Sequence, residues 1–377
     1  MPSKVIYLDN NSTTKLDKRV LKAMLPFLKE GYGNASSTHF FGTQINERVK
    51  KARQQVASLI NANEQEIIFT SGATESINLA LKGLIYAAGP KAHIITFKTE
   101  HKAVLDTCKH LETIGVRITY LPVNPDGTID LPLLEQSITE DTVAICAMLV
   151  NNETGVINNI SAIGNIAKEK NSYLICDATQ AIGKIPVDVV TAGIDLLAFS
   201  AHKFYGPKGI GALYINGLTI NEIDFVKIQH GGGHEGGFRS GTLNTSGIIG
   251  LGEACSFAAI EMMSNQIKVR RLKEYAIRLL QQIPGYTIHG NPENSLYNTL
   301  NFHIPNFDAN VFIAANRNLA VSNGSACTAS TLEASHVLTA MGINSNDSYS
   351  SLRVSFSKWN NKREVDSLIN LIRNFLG

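Results

Sequence analysis

A lysine and an aspartate that each follow an apolar run are the residues in this sequence best suited to chemistry. Tyr-Leu-Ile-Cys leads into Asp177, and Leu-Leu-Ala-Phe leads through Ser-Ala-His into Lys203. A desolvated lysine amine can form a Schiff base with a carbonyl compound. A carboxylate at the end of a buried strand needs a partner, because an unpaired buried charge is costly. Taken singly, a solvated lysine and an N-capping or ion-paired aspartate remain open alternatives.

A turn of small residues is a third feature suited to chemistry, beside Asp177 and Lys203. Ser71, Gly72, Ala73 and Thr74 lie between a predicted strand and a predicted helix, where free backbone N–H groups and the positive end of the helix dipole suit a phosphate. An ordinary helix N-cap is the alternative for this turn alone. Together, an anion site, a strand-end acid and a strand-end lysine are what pyridoxal 5′-phosphate requires: a Schiff-base lysine, an acid opposite the pyridine nitrogen and a phosphate cradle.

The elements that must position these residues alternate along the chain. Short apolar runs predict strands at Glu66–Thr70, His93–Phe97, Thr142–Val150, Tyr173–Cys176, Leu196–Phe199 and Ile210–Ile215. Amphipathic windows predict helices at Asp17–Lys29, Gln44–Ile60, Glu75–Ala87, Lys102–Ile114, Ile160–Lys170 and Thr245–Met263. This alternation is typical of an α/β fold with a mainly parallel sheet. In open sheets of that kind, ligands bind beyond the carboxyl ends of the strands.

The pattern changes after Met263. Helical windows at Lys268–Gln282 and Lys362–Phe375 flank strand-like pieces at Leu300–His303 and Ser351–Ser355. These predict a smaller C-terminal α+β domain, with a boundary near residues 256–265. We therefore divide the chain into an N-terminal segment (1–15) that packs with the small domain, a large domain (16–258) and a small domain (259–377).

Composition and charge narrow the class of protein. Of 377 residues, 44% are hydrophobic and 18% charged, so a large buried core is expected and global disorder is excluded. A net charge of +2 gives no reason to expect nucleic-acid binding. No apolar stretch is long enough to predict a membrane span, and the first residues lack a secretory apolar core. Five scattered cysteines without a Cys-x-x-Cys pair predict neither a disulfide framework nor a zinc site, and favour a reducing cytoplasm.

Seven ordered motifs resemble one enzyme family. They are FTSGATES, EHKAVL, NNETGV, DATQAIGK, FSAHKFYGPKGIGALY, HGGGHEGGFRSGT and GSACTAS. They resemble the cysteine desulfurase family, the NifS/IscS-like group of class V aminotransferase-like enzymes, over nearly the whole chain. The resemblance implies a fold-type I pyridoxal-phosphate-dependent transferase, with a seven-stranded type of sheet in the large domain and the catalytic cysteine on a loop of the small domain.

The resemblance also implies a role for each matching residue. Lys203 would bind the cofactor covalently, Asp177 would pair with its pyridine nitrogen, and His101 would stack on its ring. The remaining cofactor contacts would come from Ala73, Thr74, Asn151, Gln180, Ser200, His202 and Thr242, of which Thr242 would reach the phosphate of a neighbouring subunit in a homodimer. Arg353, Asn34 and Asn151 would bind the substrate, with the guanidinium on the carboxylate. Cys327, which lies among small polar residues, would be the sulfur-accepting nucleophile.

The implied reaction converts L-cysteine to L-alanine, and the sulfur passes through a Cys327 persulfide to an acceptor protein. The implied pathways are iron–sulfur cluster assembly, tRNA thiolation or DNA phosphorothioation. A selenocysteine lyase or another pyridoxal-phosphate-dependent lyase is an alternative, as is a sulfur-relay interaction protein with low free turnover. No metal site is predicted around His234, because no ligand set accompanies it.

Three departures from the family pattern affect this interpretation. Ala35 stands where the family usually has proline, and His234-Glu235-Gly236-Gly237 replaces a QERG-type sequence and so lacks its arginine. The sequence also ends at Gly377, without the longer tail that IscS-like members use to dock a scaffold protein. We therefore expect a different sulfur acceptor.

Overall fold

The computed structural model describes residues 5–217, 225–323 and 334–377. Its helices are α1 Lys18–Lys29, α2 Phe40–Ile60, α3 Ala73–Ala88, α4 Lys102–Glu112, α5 Leu131–Ser137, α6 Ile160–Glu169, α7 Thr245–Leu280, α8 Ala309–Ala315, α9 His336–Ala340, α10 Ser345–Tyr349 and α11 Lys362–Leu376. Its strands are β1 Ile6–Tyr7, β2 Ile67–Thr70, β3 His93–Phe97, β4 Arg117–Leu121, β5 Thr142–Met148, β6 Tyr173–Asp177, β7 Leu196–Ser200, β8 Gly211–Ile215, β9 Thr287–Ile288, β10 Thr299–His303, β11 Leu319–Ala320 and β12 Ser351–Ser355.

A seven-stranded sheet in the order β2-β8-β7-β6-β5-β3-β4 forms the centre of the large domain. All neighbours pair in parallel except β8, which is antiparallel to both β2 and β7. The predicted α/β class with a mainly parallel sheet is confirmed. Because β5, β6 and β7 run the same way, their carboxyl ends meet at one edge of the sheet.

The central strands are buried on both faces, which explains why they read as unbroken apolar runs. Along β5, Ala144 and Cys146 pack into one core cluster with α3 and α4. Ile145 and Ala147 point the other way, into a larger cluster that includes α2, α7 and the small domain. Two cores therefore hold the sheet from opposite sides.

Helix α7 corrects the predicted bounds of two helices. Two helices were predicted between Thr245 and Gln282, but the structure has one continuous helix of 36 residues. It runs straight through the predicted domain boundary because nothing in Met263–Lys268 breaks a helix. By length and composition α7 could cross a membrane, yet 56% of its most apolar window is buried inside the protein, where it packs on α1 and α2.

Strand β4 was missed. Its residues Arg117–Leu121 are only half-buried at the edge of the sheet. Such a polar edge strand lacks the apolar run used to find the others.

The small domain contains the antiparallel sheet β12-β10-β9. The N-terminal segment lies against it: β1 pairs in parallel with β11, and Asp9 bridges to Ser355 at the end of β12. This arrangement brings residues from both termini of the chain to the edge of the large sheet.

Candidate active site

A cavity of about 230 Å³ lies at the carboxyl ends of β5, β6 and β7. Its walls are formed by Asn11, Ser12, Ala73, Thr74, Ile77, His101, Ala103, Met148, Val150, Asn152, Asp177, Thr179, Gln180, Ser200, His202, Lys203 and Arg353. Nine of the predicted site residues therefore meet around one space: Ala73, Thr74, His101, Asp177, Gln180, Ser200, His202, Lys203 and Arg353.

One end of the cavity is formed by the start of α3. Gly72 caps this helix with φ +155°, and a Cβ there would stand 3.2 Å from Ser200 Oγ. The Ala73 N–H donates to Ser200 Oγ at 2.7 Å. Burial lowers the pKa of His202 to about 4, so its imidazole is neutral at pH 7. Backbone donors, a hydroxyl and the helix dipole make this end suitable for an anion.

Asp177 and Lys203 face the same cavity. Asp177 is the last residue of β6, is 6% exposed and accepts the Thr179 N–H at Oδ1 over 2.9 Å. Among the described residues, no donor contacts its other oxygen. Lys203 Nζ donates to the carbonyl oxygens of Asn11 at 2.6 Å and Ser12 at 2.9 Å. The N-terminal segment thus holds the amine at the cavity.

His101 and Gln180 occupy adjoining parts of the wall. His101 caps α4, and its Nδ1 accepts the Ala103 N–H at 3.1 Å. Burial, more than the neighbouring charges, lowers the pKa of its imidazole. Gln180 is 3% exposed and donates from Nε2 to the Asn11 carbonyl at 2.9 Å.

Arg353 reaches the cavity from β12 and is 2% exposed. Its Nη2 donates to Asp9 Oδ1 at 2.7 Å and Ser12 Oγ at 2.8 Å, and its Nη1 donates to the Asn152 carbonyl at 3.1 Å. Nε has no partner among the described residues. A buried guanidinium with an unused N–H beside the cavity is suited to a carboxylate.

The remaining predicted site residues do not line the cavity. The Asn151 side chain closes its own turn by accepting the backbone N–H groups of Glu153 and Thr154, and its neighbour Asn152 faces the cavity instead. Asn34 is exposed and accepts the Ser36 N–H. Thr242 is exposed on the surface. Cys327 lies outside the described residues.

Sequence reasoning missed several residues that build the site. Asn11, Ser12 and Asp9 belong to the N-terminal stretch YLDNNSTT, whose run of short polar residues was the available signal. Glu100, immediately before His101, is fully buried and gives no sequence signal beyond its position in that motif.

The stretch His234-Glu235-Gly236-Gly237, which departs from the family pattern, is anchored by Glu235. Its carboxylate accepts from Arg53 Nη1 and Nη2 at 2.9 and 2.6 Å, and from the Phe69 N–H at 2.7 Å. Glu235, Gly236 and Gly237 all adopt positive φ. This buried ion pair fixes the loop to β2, directly before the anion end of the cavity.

The residues present fit pyridoxal phosphate. An anion site at the start of α3, an acidic oxygen of Asp177 open to the cavity, the Lys203 amine and apolar walls at Ile77 and Val150 match the parts of that molecule. These features define the class of protein as a pyridoxal-phosphate-dependent enzyme with the α/β fold of the type I group.

Comparison with known proteins narrows the class. The sequence pattern described as "Aminotransferase class-V" matches residues 6–368. A cysteine desulfurase IscS of Neisseria meningitidis is 47% identical over 374 residues, which is 99% of this chain and 92% of the relative. A solved structure described as a NifS-like protein superposes with a TM-score of 0.91 at 37% identity, covering 99% of each chain. One of SspA in complex with cysteine has a TM-score of 0.83 at 35% identity, covering 94% of this chain and 99% of that one.

The chain therefore belongs to the class V aminotransferase family, within its NifS/IscS-like cysteine desulfurase group. Members of this family use pyridoxal phosphate as their cofactor, and the predicted fold type and family are confirmed.

Proposed function

We propose that this protein converts L-cysteine to L-alanine and transfers the sulfur to Cys327 as a persulfide. The proposal depends on the convergence of three side chains on one cavity. Asp177 comes from the end of β6, Lys203 from the turn after β7, and Arg353 from β12. Two relatives support the substrate: one is named a cysteine desulfurase, and another was solved in complex with cysteine.

In this proposal each residue around the cavity has its own role in binding or in proton transfer. Arg353 binds the substrate carboxylate, and the start of α3 with Ser200 and His202 binds the cofactor phosphate. Asp177 keeps the pyridine nitrogen protonated. Bound pyridoxal phosphate supplies an electron sink that makes the Cα proton of an attached amino acid acidic. In this proposal the Lys203 amine takes that proton, and the neutral His101 imidazole moves a proton at the substrate sulfur.

Sulfur transfer needs the Cys327 thiolate. Its attack forms an S–S bond while the substrate C–S bond breaks, and the carbon takes up a proton to complete alanine, with no net oxidant or reductant. The proposal is supported by the described residues that flank the Cys327 stretch, since both contact residues at or next to the cavity. Ser322 pairs through its backbone with Arg353, and His336 Nε2 lies 2.9 Å from the Glu100 carbonyl oxygen.

Partners and compartment are part of the proposal. The exposed position of Thr242 suits a contact with a second copy in a homodimer, and the small net charge favours a protein rather than a nucleic acid as the sulfur acceptor. All four cysteines in the described part of the chain are free and buried, which favours the cytoplasm.

The test compares the wild-type protein with Cys327→Ser and Lys203→Ala, in the presence of L-cysteine and a reductant. Wild type should release alanine and sulfide. Cys327→Ser should keep the visible absorbance of the bound cofactor and lose sulfide release, whereas Lys203→Ala should lose the absorbance of the lysine-linked cofactor. Sulfide release by Cys327→Ser at the wild-type rate would refute the persulfide step.

A further inference from the structure

A buried lysine stands behind the cavity wall without a role in the steps above. Lys184 is 5% exposed and forms no ion pair with any carboxylate in the described part of the chain. Its Nζ donates to Gln180 Oε1 at 2.6 Å. Burial, reinforced by the positive charges of Lys203 and Arg353, lowers the pKa of Lys184 well below its usual value. An unpaired amine kept in such a place calls for an explanation, because an apolar side chain would avoid the cost of desolvation.

The Lys184 amine belongs to a chain of hydrogen bonds that ends at the Lys203 amine. Lys184 donates to one end of the Gln180 amide, and the other end donates to the Asn11 carbonyl at 2.9 Å. That carbonyl also accepts from Lys203 Nζ at 2.6 Å. The Gln180 amide is therefore held at both ends, with its oxygen towards Lys184 and its NH₂ group towards the cavity and Asn11.

The backbone between the two residues is specialised for this contact. Gly183 adopts φ +73°, and a Cβ there would stand 2.7 Å from the Phe204 side chain. The Lys184 N–H bonds to the Ala181 carbonyl, closing the turn that follows Gln180. A glycine that tolerates both the left-handed conformation and the close approach of Phe204 thus delivers Lys184 to Gln180.

We propose that Lys184 is a positioning residue, which orients the Gln180 amide so that its NH₂ group faces the cofactor and the carbonyl that holds Lys203. This inference rests on the proposed function, since it assigns Gln180 a place beside bound pyridoxal phosphate. Lys184 itself touches neither substrate nor cofactor and acts only through Gln180.

The first test titrates cofactor-free protein with pyridoxal phosphate and follows the visible absorbance of the bound cofactor. A second titration records the same absorbance against pH and gives the midpoint of its change. Lys184→Met keeps an unbranched side chain, which ends one atom short of the Nζ position, and removes the donor. We expect about fivefold weaker cofactor binding, the equivalent of one hydrogen bond of about 1 kcal/mol, together with a displaced pH midpoint.

Lys273→Met is the matched control. Lys273 is another buried lysine, 8% exposed, which donates to Ser295 Oγ and the Leu296 carbonyl and does not line the cavity. Its replacement should leave both readouts at wild-type values. If Lys184→Met does not fold, Lys184→Gln, whose amide ends one atom short of the Nζ position, serves in its place with the same expected loss.

A double variant separates positioning through Gln180 from a general structural role. In a Gln180→Leu background, adding Lys184→Met should change neither the affinity nor the midpoint, because the group it orients is gone. Wild-type values in Lys184→Met, or an undiminished loss in the Gln180→Leu background, would overturn the inference. Failure of the wild-type protein to bind pyridoxal phosphate would instead overturn the proposed function, and the inference with it.

Discussion

Replacing Glu100 with glutamine should make the protein progressively more stable than wild type as the pH rises. Glu100 is fully buried. Its Oε1 accepts the Met148 N–H at 2.7 Å, and its Oε2 has no partner among the described residues. Burial, helped by the negative charge of Asp177, raises the pKa of this carboxyl well above its ordinary value of 4.5. With its pKa raised, Glu100 stays protonated to a higher pH in the folded protein than in the unfolded chain, and glutamine closely resembles the protonated acid in shape.

Proton linkage sets the sign and the size of the difference in unfolding free energy between wild type and Glu100→Gln. A raised pKa in the folded state contributes stability that is complete below pH 4.5 and is lost as the pH rises towards the folded value, because the unfolded chain ionises first. While Glu100 stays protonated in the fold, wild type should lose up to about 1.4 kcal/mol of unfolding free energy per pH unit relative to Glu100→Gln. Between pH 5.5 and pH 7.5 the difference should grow by as much as about 2.7 kcal/mol.

Denaturant titrations of both proteins at several pH values, with saturating pyridoxal phosphate, measure this difference. Glu75→Gln is the control. Arg239 and the Ser71 N–H lower the pKa of Glu75, even though burial opposes them. The contribution of Glu75 to stability is lost only as the pH falls below about 4.5. The difference in unfolding free energy between wild type and Glu75→Gln should therefore stay constant from pH 5.5 to 7.5. A flat or reversed trend for Glu100→Gln would show that Glu100 is ionised in the folded protein and would refute the reasoning.

Two further changes test contacts around the site. Asp9→Asn removes the charged partner of Arg353 Nη2. We expect about a tenfold higher KM for L-cysteine with a smaller change in kcat, because a less firmly held guanidinium binds the substrate carboxylate less well. An unchanged KM in steady-state kinetics would count against Arg353 as the carboxylate site. Glu235→Ala removes the carboxylate partner of the Arg53 guanidinium and the acceptor of the Phe69 N–H, and should cost about 3 kcal/mol of unfolding free energy in denaturant titrations. Glu47→Ala, which removes an exposed ion pair, should stay within about 0.5 kcal/mol of wild type, and equal effects of the two variants would contradict the anchoring role of Glu235.

Much of the large domain could be predicted because its strands are buried on both faces. Strands such as β5 and β7 appear as apolar runs, and the polar residue that ends each run marks the edge where ligands bind. Asp177 and Lys203 were found in this way, and the structure places both at one cavity. The same rule could not predict the half-exposed strand β4, because its residues do not form an apolar run. It could not predict that α7 is one unbroken helix, because the apolar pattern does not mark where that helix continues.

Other features depend on contacts between residues far apart in the chain. Nothing near Arg353 in the sequence indicates that Asp9 would hold it, and nothing near Lys203 indicates that the Asn11 carbonyl would bind its amine. Likewise, Asn151 and Asn152 are indistinguishable by type, and only the fold turns one inward to close its own turn and the other to the cavity.

The sequence by itself determined the class of fold, the family and the residue types that the chemistry needs, because burial and strand-end position leave local patterns. Only the tertiary structure decided which groups share a hydrogen bond and in which direction the pKa of each buried acid or amine is shifted. The physical reason is that pKa and orientation depend on solvent exclusion and on partners brought in by the fold. For Glu100 and Lys184 those partners come from β5 and from a turn shaped by Gly183.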